Sequence, residues 1–123
     1  DIVAGDFMEP RGHDAALELL RRPHPPTAVF ASSDSAAFGV LRAARELGLS
    51  VPGDVSVVGF DDVPEAALLT PPLTTVRQPL REMGHAAVRQ LMLLLADHAQ
   101  PPTRLVLETE LVLRGSTGPP RIG

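Results

Sequence analysis

The stretch Val51-Pro-Gly-Asp-Val-Ser-Val-Val-Gly-Phe-Asp-Asp62 decides the fold. Pro52-Gly53 makes a turn, and Val55, Val57, Val58 and Phe60 then form a near-continuous apolar run that ends on two carboxylates. A β-branched run this short, apolar on both faces, suits a strand in the middle of a parallel sheet. Open parallel sheets bind ligands in the crevice beyond the carboxyl ends of their strands. Asp61 and Asp62 fall at that edge.

Working outward, the residues on both sides alternate between short strands and helices. Asp1 to Ala4 is expected to end a strand, with Gly5-Asp6-Phe7 after it. From Pro10 the spacing is helical, with Ala15, Ala16, Leu19 and Leu20 on one face, until Pro23, Pro25 and Pro26 stop it. Ala28 to Ala31 is the next strand. Ser32-Ser33-Asp34 offers N-cap chemistry for a helix over 35–47, whose apolar face is Ala37, Val40, Leu41, Ala44 and Leu47, with Gly48 after it. Beyond the central strand, Asp62 and Pro64 are expected to start a short helix through Leu69.

Pro71-Pro72 breaks the chain before an extended segment over 73–77. Pro79 then starts the longest helix, to about Ala96. Leu80, Met83, Ala87, Leu91, Leu94 and Leu95 make its apolar stripe, and Arg81, His85 and Arg89 its polar row. Leu105, Leu107, Thr109, Leu111 and Leu113 alternate as on a strand with one covered face. Residues 114–123 read as a frayed Gly/Pro-rich tail. The order β-α-β-α-β-α-β-α-β predicts a parallel α/β layer structure with right-handed crossovers. Three strand ends then share one edge: Asp6-Phe7, Ser32-Ser33-Asp34 and Asp61-Asp62.

Composition narrows the function. The chain has 123 residues, 44% hydrophobic and 21% charged, as expected for one globular domain. It has no cysteine, which excludes disulfides and thiolate metal sites. The net charge is −4 and all 11 basic residues are arginine, so this piece alone is a poor match for phosphate backbones. No apolar run approaches the roughly 18 residues of a membrane span. The chain starts at Asp1 rather than Met, which suggests a fragment of a longer protein.

Asp61-Asp62 has three readings: a catalytic carboxylate pair, a hydrogen-bonding site for a ligand, or a helix cap. Neighbouring residues after a strand point apart, which disfavours a shared proton. A single carboxylate accepts two hydrogen bonds in a fork, which suits vicinal hydroxyls or the donor edge of a base. Ser33-Asp34 lacks the G-x-S-x-G context of a hydrolase nucleophile. His13, His24, His85 and His98 have no metal-ligand spacing, and no phosphate-cradling glycine motif is present, so neither metal nor cofactor is expected. Phe7 is either a core residue or a stacking surface for a ligand ring.

Val51 to Asp62, followed by Pro71-Pro-Leu-Thr-Thr-Val-Arg-Gln-Pro79, resembles the lactose/galactose repressor (LacI/GalR) family of bacterial transcription regulators. Gly5-Asp-Phe7, Pro26-Thr-Ala-Val-Phe-Ala31, Ala37-Phe-Gly39 with Arg42-Ala43, and the Arg-Gly-Ser-Thr after Leu113 extend the resemblance over nearly the whole chain. It implies a three-layer lobe of a periplasmic-binding-protein-like fold. Residues 1–77 would be the C-terminal lobe, 78–104 a segment of the N-terminal lobe, 105–114 a return strand and 115–123 a tail.

The resemblance also implies an effector-sensing role, with a sugar or purine bound between lobes in a cytoplasmic homodimer. Operator DNA would be engaged only through an N-terminal helix-turn-helix domain outside this chain. Carried over by position, Phe7 packs on the effector ring, Asp61 takes its hydroxyls or ring nitrogens, and Gln78 faces the crevice. Ser33 stands where the family usually has Asn, so the effector contact there passes through water or is lost. Ala37, Leu41, Glu65, Leu68 and Leu69 fall on the family's dimer face. The stripe after Pro79 would lack its usual cover, and is expected to pack on a second copy, to swap, or to become disordered. Two alternatives stay open: a periplasmic sugar-binding protein of a transport system, and, more weakly, an α/β enzyme acting on a sugar or phosphate ester.

Overall fold

The computed structural model describes residues 1–96, 101 and 103–120. Helix α1 (Glu9–Leu20) leads to strand β1 (Ala28–Phe30), helix α2 (Asp34–Glu46) and strand β2 (Ser56–Asp61). A 3₁₀ turn (Pro64–Ala67), strand β3 (Thr74–Arg77), helix α3 (Leu80–Ala96) and strand β4 (Glu110–Val112) follow. The sheet order is β1-β2-β3-β4. β2 pairs in parallel with β1 on one side and β3 on the other, with Val29 opposite Val57 and Phe60 opposite Val76. The quoted stretch is thus the middle strand, as its two-sided apolar run requires, and the architecture is the mixed α/β class expected. Residues 1–4 form no strand. Ile2 is exposed, and three apolar residues with no ladder partner leave their backbone groups to water.

The chain divides into two compact units, residues 1–77 with 111–123, and residues 78–110. In the first, Ala16 and Leu20 of α1, Ala36, Ala37, Val40, Ala43 and Ala44 of α2, and Val55, Val57, Ala66 and Leu73 form one buried core. The helix partners are small because the backbones nearly touch. A Cβ on Gly12 would overlap the Ala36 carbonyl, and one on Gly39 would overlap the Glu9 carbonyl and the His13 amide. Alanine is a better helix former than glycine by about 1 kcal/mol. At Gly39 the overlap forces α1 and α2 apart, so Gly39→Ala is expected to cost a net ~1–3 kcal/mol. Urea denaturation checks this; a variant as stable as the wild type would show that the helices can separate freely.

α2 ends as its sequence indicates. Gly48 takes φ 70°, and its amide and that of Leu49 return to the carbonyls of Arg45 and Ala44. The tail departs from expectation. Ser116 is fully buried: its hydroxyl donates to the Val57 carbonyl at 2.6 Å and accepts from the Thr74 amide at 2.8 Å. Its carbonyl accepts from the Val57 amide, and Gly118 exchanges two bonds with the Ser56 hydroxyl. Residues 114–118 are therefore stitched to β2 and β3 rather than frayed, because short polar side chains here satisfy backbone groups at the sheet. Residues 121–123 lie outside those described.

In the second unit α3 is a continuous helix with none of its residues buried; Leu80, Leu91 and Leu95 are all exposed. The stripe is bare but helical, so the disordered alternative does not hold. The alternating run after it is a strand only over Glu110–Val112, while Leu105, Leu111 and Leu113 are exposed. An amphipathic strand without a layer over its apolar face has little to hold its full length.

Candidate functional site

Because β1, β2 and β3 run parallel, their carboxyl ends lie on one edge, and that edge carries most of the sequence candidates. Gly5-Asp6-Phe7 is held by one local bond and one bond to Ser33 at that edge. The Asp6 carboxylate accepts from the Met8 amide at 2.8 Å, capping the start of α1 where Met8 itself supplies no side-chain cap. The Ser33 hydroxyl donates to the Phe7 carbonyl at 2.8 Å. Phe7 is left 67% exposed, so it is not a core residue of this chain.

Ser33 is the N-cap of α2, its oxygen accepting from the Ala36 amide at 3.0 Å. With its proton given to Phe7 and a lone pair to Ala36, the buried hydroxyl is occupied by holding the aromatic loop to the helix. The structure thus joins Phe7 and Ser33, but through the backbone of one and the cap of the other.

Asp34, which the sequence places at the shared edge and offers as cap chemistry, is the keystone of that edge. It is fully buried, and its carboxylate spans β2 from α2 to β3. One oxygen accepts from the Thr75 hydroxyl at 2.5 Å and the other from the Val63 amide at 2.9 Å. The passage exists because residue 59 is glycine: a Cβ there would overlap the Asp34 carboxylate. A sequence signal was present in Thr74-Thr75, two hydroxyls in a buried strand that need partners.

At the end of β2 the two acids separate. Asp61 is half-buried, sits opposite Arg77 in the ladder and has φ 120°. Asp62 has φ 60°. Backbone of this kind costs an L-residue about 1–3 kcal/mol and persists only where surroundings impose it. The expectation that Asp62 caps the next helix is incorrect. The 3₁₀ turn starts after Val63 with no side-chain cap, and Asp62 instead receives Arg77 Nε and Arg114 Nη2, each at 2.6 Å. Its side chain is only 7% exposed, and two guanidinium donors satisfy it better than a helix end could.

Burial pushes the Asp62 carboxyl up, but the hydrogen bonds of Arg114 and Arg77 and their positive charges outweigh it and hold it below 3.8. A depressed carboxyl stabilises the fold at pH values above its unfolded value, and the contribution is lost as pH falls through the folded value. Asp62→Asn should therefore flatten the acid limb of the stability curve below about pH 4 and cost most near neutrality. Parallel acid limbs for the two proteins in urea titrations would sink this assignment.

Gln78, the remaining candidate, is half-buried and opens the second unit, its carbonyl accepting from the Leu80 amide at 2.9 Å. Of the dimer-face candidates, Leu68 is 81% exposed and Glu65 is exposed, while Leu41 and Leu69 line a groove of about 450 Å³ with Phe38, Arg42 and Arg45. Ala37 is fully buried in the core and has no surface to offer a second copy. Its place in the apolar stripe of α2 marks packing, not a face. Among the described residues no group of three or more His, Asp or Glu side chains could hold a metal. His13 bonds Glu46 across the two helices at 2.9 Å, and His98 lies outside the described residues.

Buried carboxylates thus organise the sheet edge on which the exposed Phe7 is held. The model of the periplasmic binding protein-like domain matches residues 3–117. The chain belongs to that family. This domain's curated relatives include the HTH-type transcriptional regulator MalR of Streptomyces coelicolor, 53% identical over 106 residues, which are 86% of this chain and 30% of that protein.

Among solved structures, the complex of the transcriptional regulator CelR with cellobiose has a TM-score of 0.85 at 44% identity, covering 91% of this chain and 34% of the other. The dimeric lac repressor has a TM-score of 0.84 at 35% identity, covering 95% and 43%. The LacI/GalR resemblance is borne out, and the transport-protein alternative is not favoured. The domain spans about a third of the length of the curated relatives it matches. No helix among the described residues is long and apolar enough to cross a membrane.

Proposed function

We propose that this domain is the later part of the effector-sensing region of a cytoplasmic LacI-type transcription regulator that is not an enzyme. The observation that carries the reading is the shared strand edge: Phe7 exposed, Asp61 held in a left-handed turn, and Asp34 and Asp62 fixed behind them. Phe7 stacks on the effector ring and Asp61 accepts its hydroxyls. Gln78, which follows Arg77 directly in the sequence, is a further proposed effector contact, and the wall of the pocket facing Asp61 comes from residues outside this chain. Ser33 acts indirectly by fixing the Phe7 loop. A sugar is favoured over a purine because a cellobiose complex is among the similar structures.

The regulator works as a homodimer through the exposed Glu65 and Leu68 with the partly buried Leu41 and Leu69; the similar lac repressor structure is dimeric. Effector shifts the population between two arrangements of the pair, which alters the affinity of DNA-binding heads outside this chain. Couplings of this kind are typically about 5–150-fold. Fluorescence anisotropy of the full-length protein on DNA from upstream of its own gene is expected to change affinity by that order when the cognate sugar is added. Sedimentation of the same sample is expected to give the mass of two chains. A protein with no affinity for that DNA, or a sugar-bound monomer indifferent to it, would overturn the proposal.

A further inference from the structure

Asp61 and Asp62 are the non-glycine residues with positive φ among those described, and they are consecutive. Neither conformation is a resting state for an L-residue, so the ladder of β2 alone does not account for the turn. Three anchors converge on it. Asp61 is the ladder partner of Arg77 at the end of β3. The Val63 amide is held by the buried Asp34 carboxylate at 2.9 Å. Between them the Asp62 carboxylate takes Arg77 Nε on one oxygen and Arg114 Nη2 on the other. Arg114 is itself fixed, Nη1 donating to the Leu73 carbonyl at 2.8 Å and its amide to the Thr74 hydroxyl at 3.0 Å.

We infer that Asp62 is a positioning residue for Asp61: its carboxylate, clamped between Arg77 and Arg114, sets the left-handed turn that carries Asp61 at the end of β2. The inference rests on reading Asp61 as the effector ligand, although its backbone consequence is observable without any ligand. The clamp also has a place in the chain's connectivity. Arg77 is the last residue before the chain leaves the first unit, and Leu111, three residues before Arg114, is where it returns. One carboxylate therefore ties the first unit's ends of both connections to the backbone of Asp61. A rearrangement of either connection reaches the ligand-binding acid through Asp62.

The test uses the full-length protein with Asp62→Ala, Asp62→Asn, and Leu20→Ala as a control that weakens the core away from the turn. Residue-resolved amide exchange is followed at Asp61, Asp62 and Val63, with Val57 as reference. Asp62→Ala is expected to speed exchange at the three turn amides about tenfold or more beyond Leu20→Ala compared at equal global stability, with Val57 unchanged between the two. Asp62→Asn, which keeps an acceptor oxygen and tolerates positive φ, falls between. Turn amides that exchange alike in Asp62→Ala and Leu20→Ala overturn the inference.

Cellobiose is then titrated by calorimetry, well below the melting temperature of each variant. If the wild type binds it, Asp62→Ala is expected to raise Kd about tenfold or more while Leu20→Ala leaves it unchanged. An unchanged Kd in Asp62→Ala overturns the positioning role. A wild type that takes no sugar counts against the effector reading, and amide exchange then decides the clamp by itself.

Discussion

Replacing Asp34 by alanine is expected to remove about 2–5 kcal/mol of stability, because one buried donor and one partly buried donor lose their partner at once. The Thr75 hydroxyl and the Val63 amide both end on the fully buried Asp34 carboxylate, the first in a buried bond and the second in a partly buried one. The cavity left beside Gly59 adds to the loss. Domain stabilities lie near 5–15 kcal/mol, so a loss of this size moves the protein towards unfolding at physiological temperature. Urea denaturation at pH 7 measures it directly. A variant within about 0.5 kcal/mol of the wild type, the range of ordinary surface substitutions, would show that the carboxylate is not the link between α2, β3 and the 62–63 turn.

The second large effect concerns binding. Asp61→Ala removes the one carboxylate proposed to touch the effector, and a hydrogen bond to a charged group is worth about 1.5–3 kcal/mol. Effector affinity in the full-length protein should fall by roughly 10–150-fold. Stability should fall less than for Asp34→Ala, since Asp61 is only half-buried whereas Asp34 is fully buried. The contrast separates the two acids: one variant is a folding defect and the other a binding defect. A loss of binding in Asp61→Ala accompanied by an equal loss of stability would merge them again.

The fold was legible where sequence pattern and burial coincide. Val55, Val57 and Phe60 could serve only as a middle strand, and Ser33 and Gly48 bracket α2 as their chemistry requires. Residues whose role depends on a distant partner were harder to read. Asp34 looks like a first-turn acid of α2 because its bonds to Thr75 and Val63 cross 41 and 29 positions of sequence. Asp62 looks like a cap because Arg114 is 52 residues away.

Ser116 was hidden in a stretch whose composition suggests fraying, although its hydroxyl and carbonyl close the backbone of β2. Ala37 shows the opposite error. An apolar stripe on a helix marks whichever side is covered, and at Ala37 that side is the core rather than a second copy. At the candidate site the position of Asp61 beyond β2 was readable from the strand alone. Its left-handed backbone was not, because nothing local favours it.

The central claim, that this edge senses a small molecule through Asp61, is tested most directly by thermal shift of the full-length protein. Hexoses, pentoses, disaccharides, purine bases and nucleosides are titrated against wild type and Asp61→Ala in parallel. At a concentration about 100 times Kd, a bound effector adds roughly 2.7 kcal/mol to the folded state, enough for a rise of several degrees. Such a rise is expected for at least one sugar with the wild type, and a rise about half as large or smaller for the same sugar at the same concentration with Asp61→Ala, as a roughly 10–150-fold weaker affinity requires. A wild type that none of these compounds stabilises, or an Asp61→Ala variant stabilised as strongly as the wild type, would contradict it.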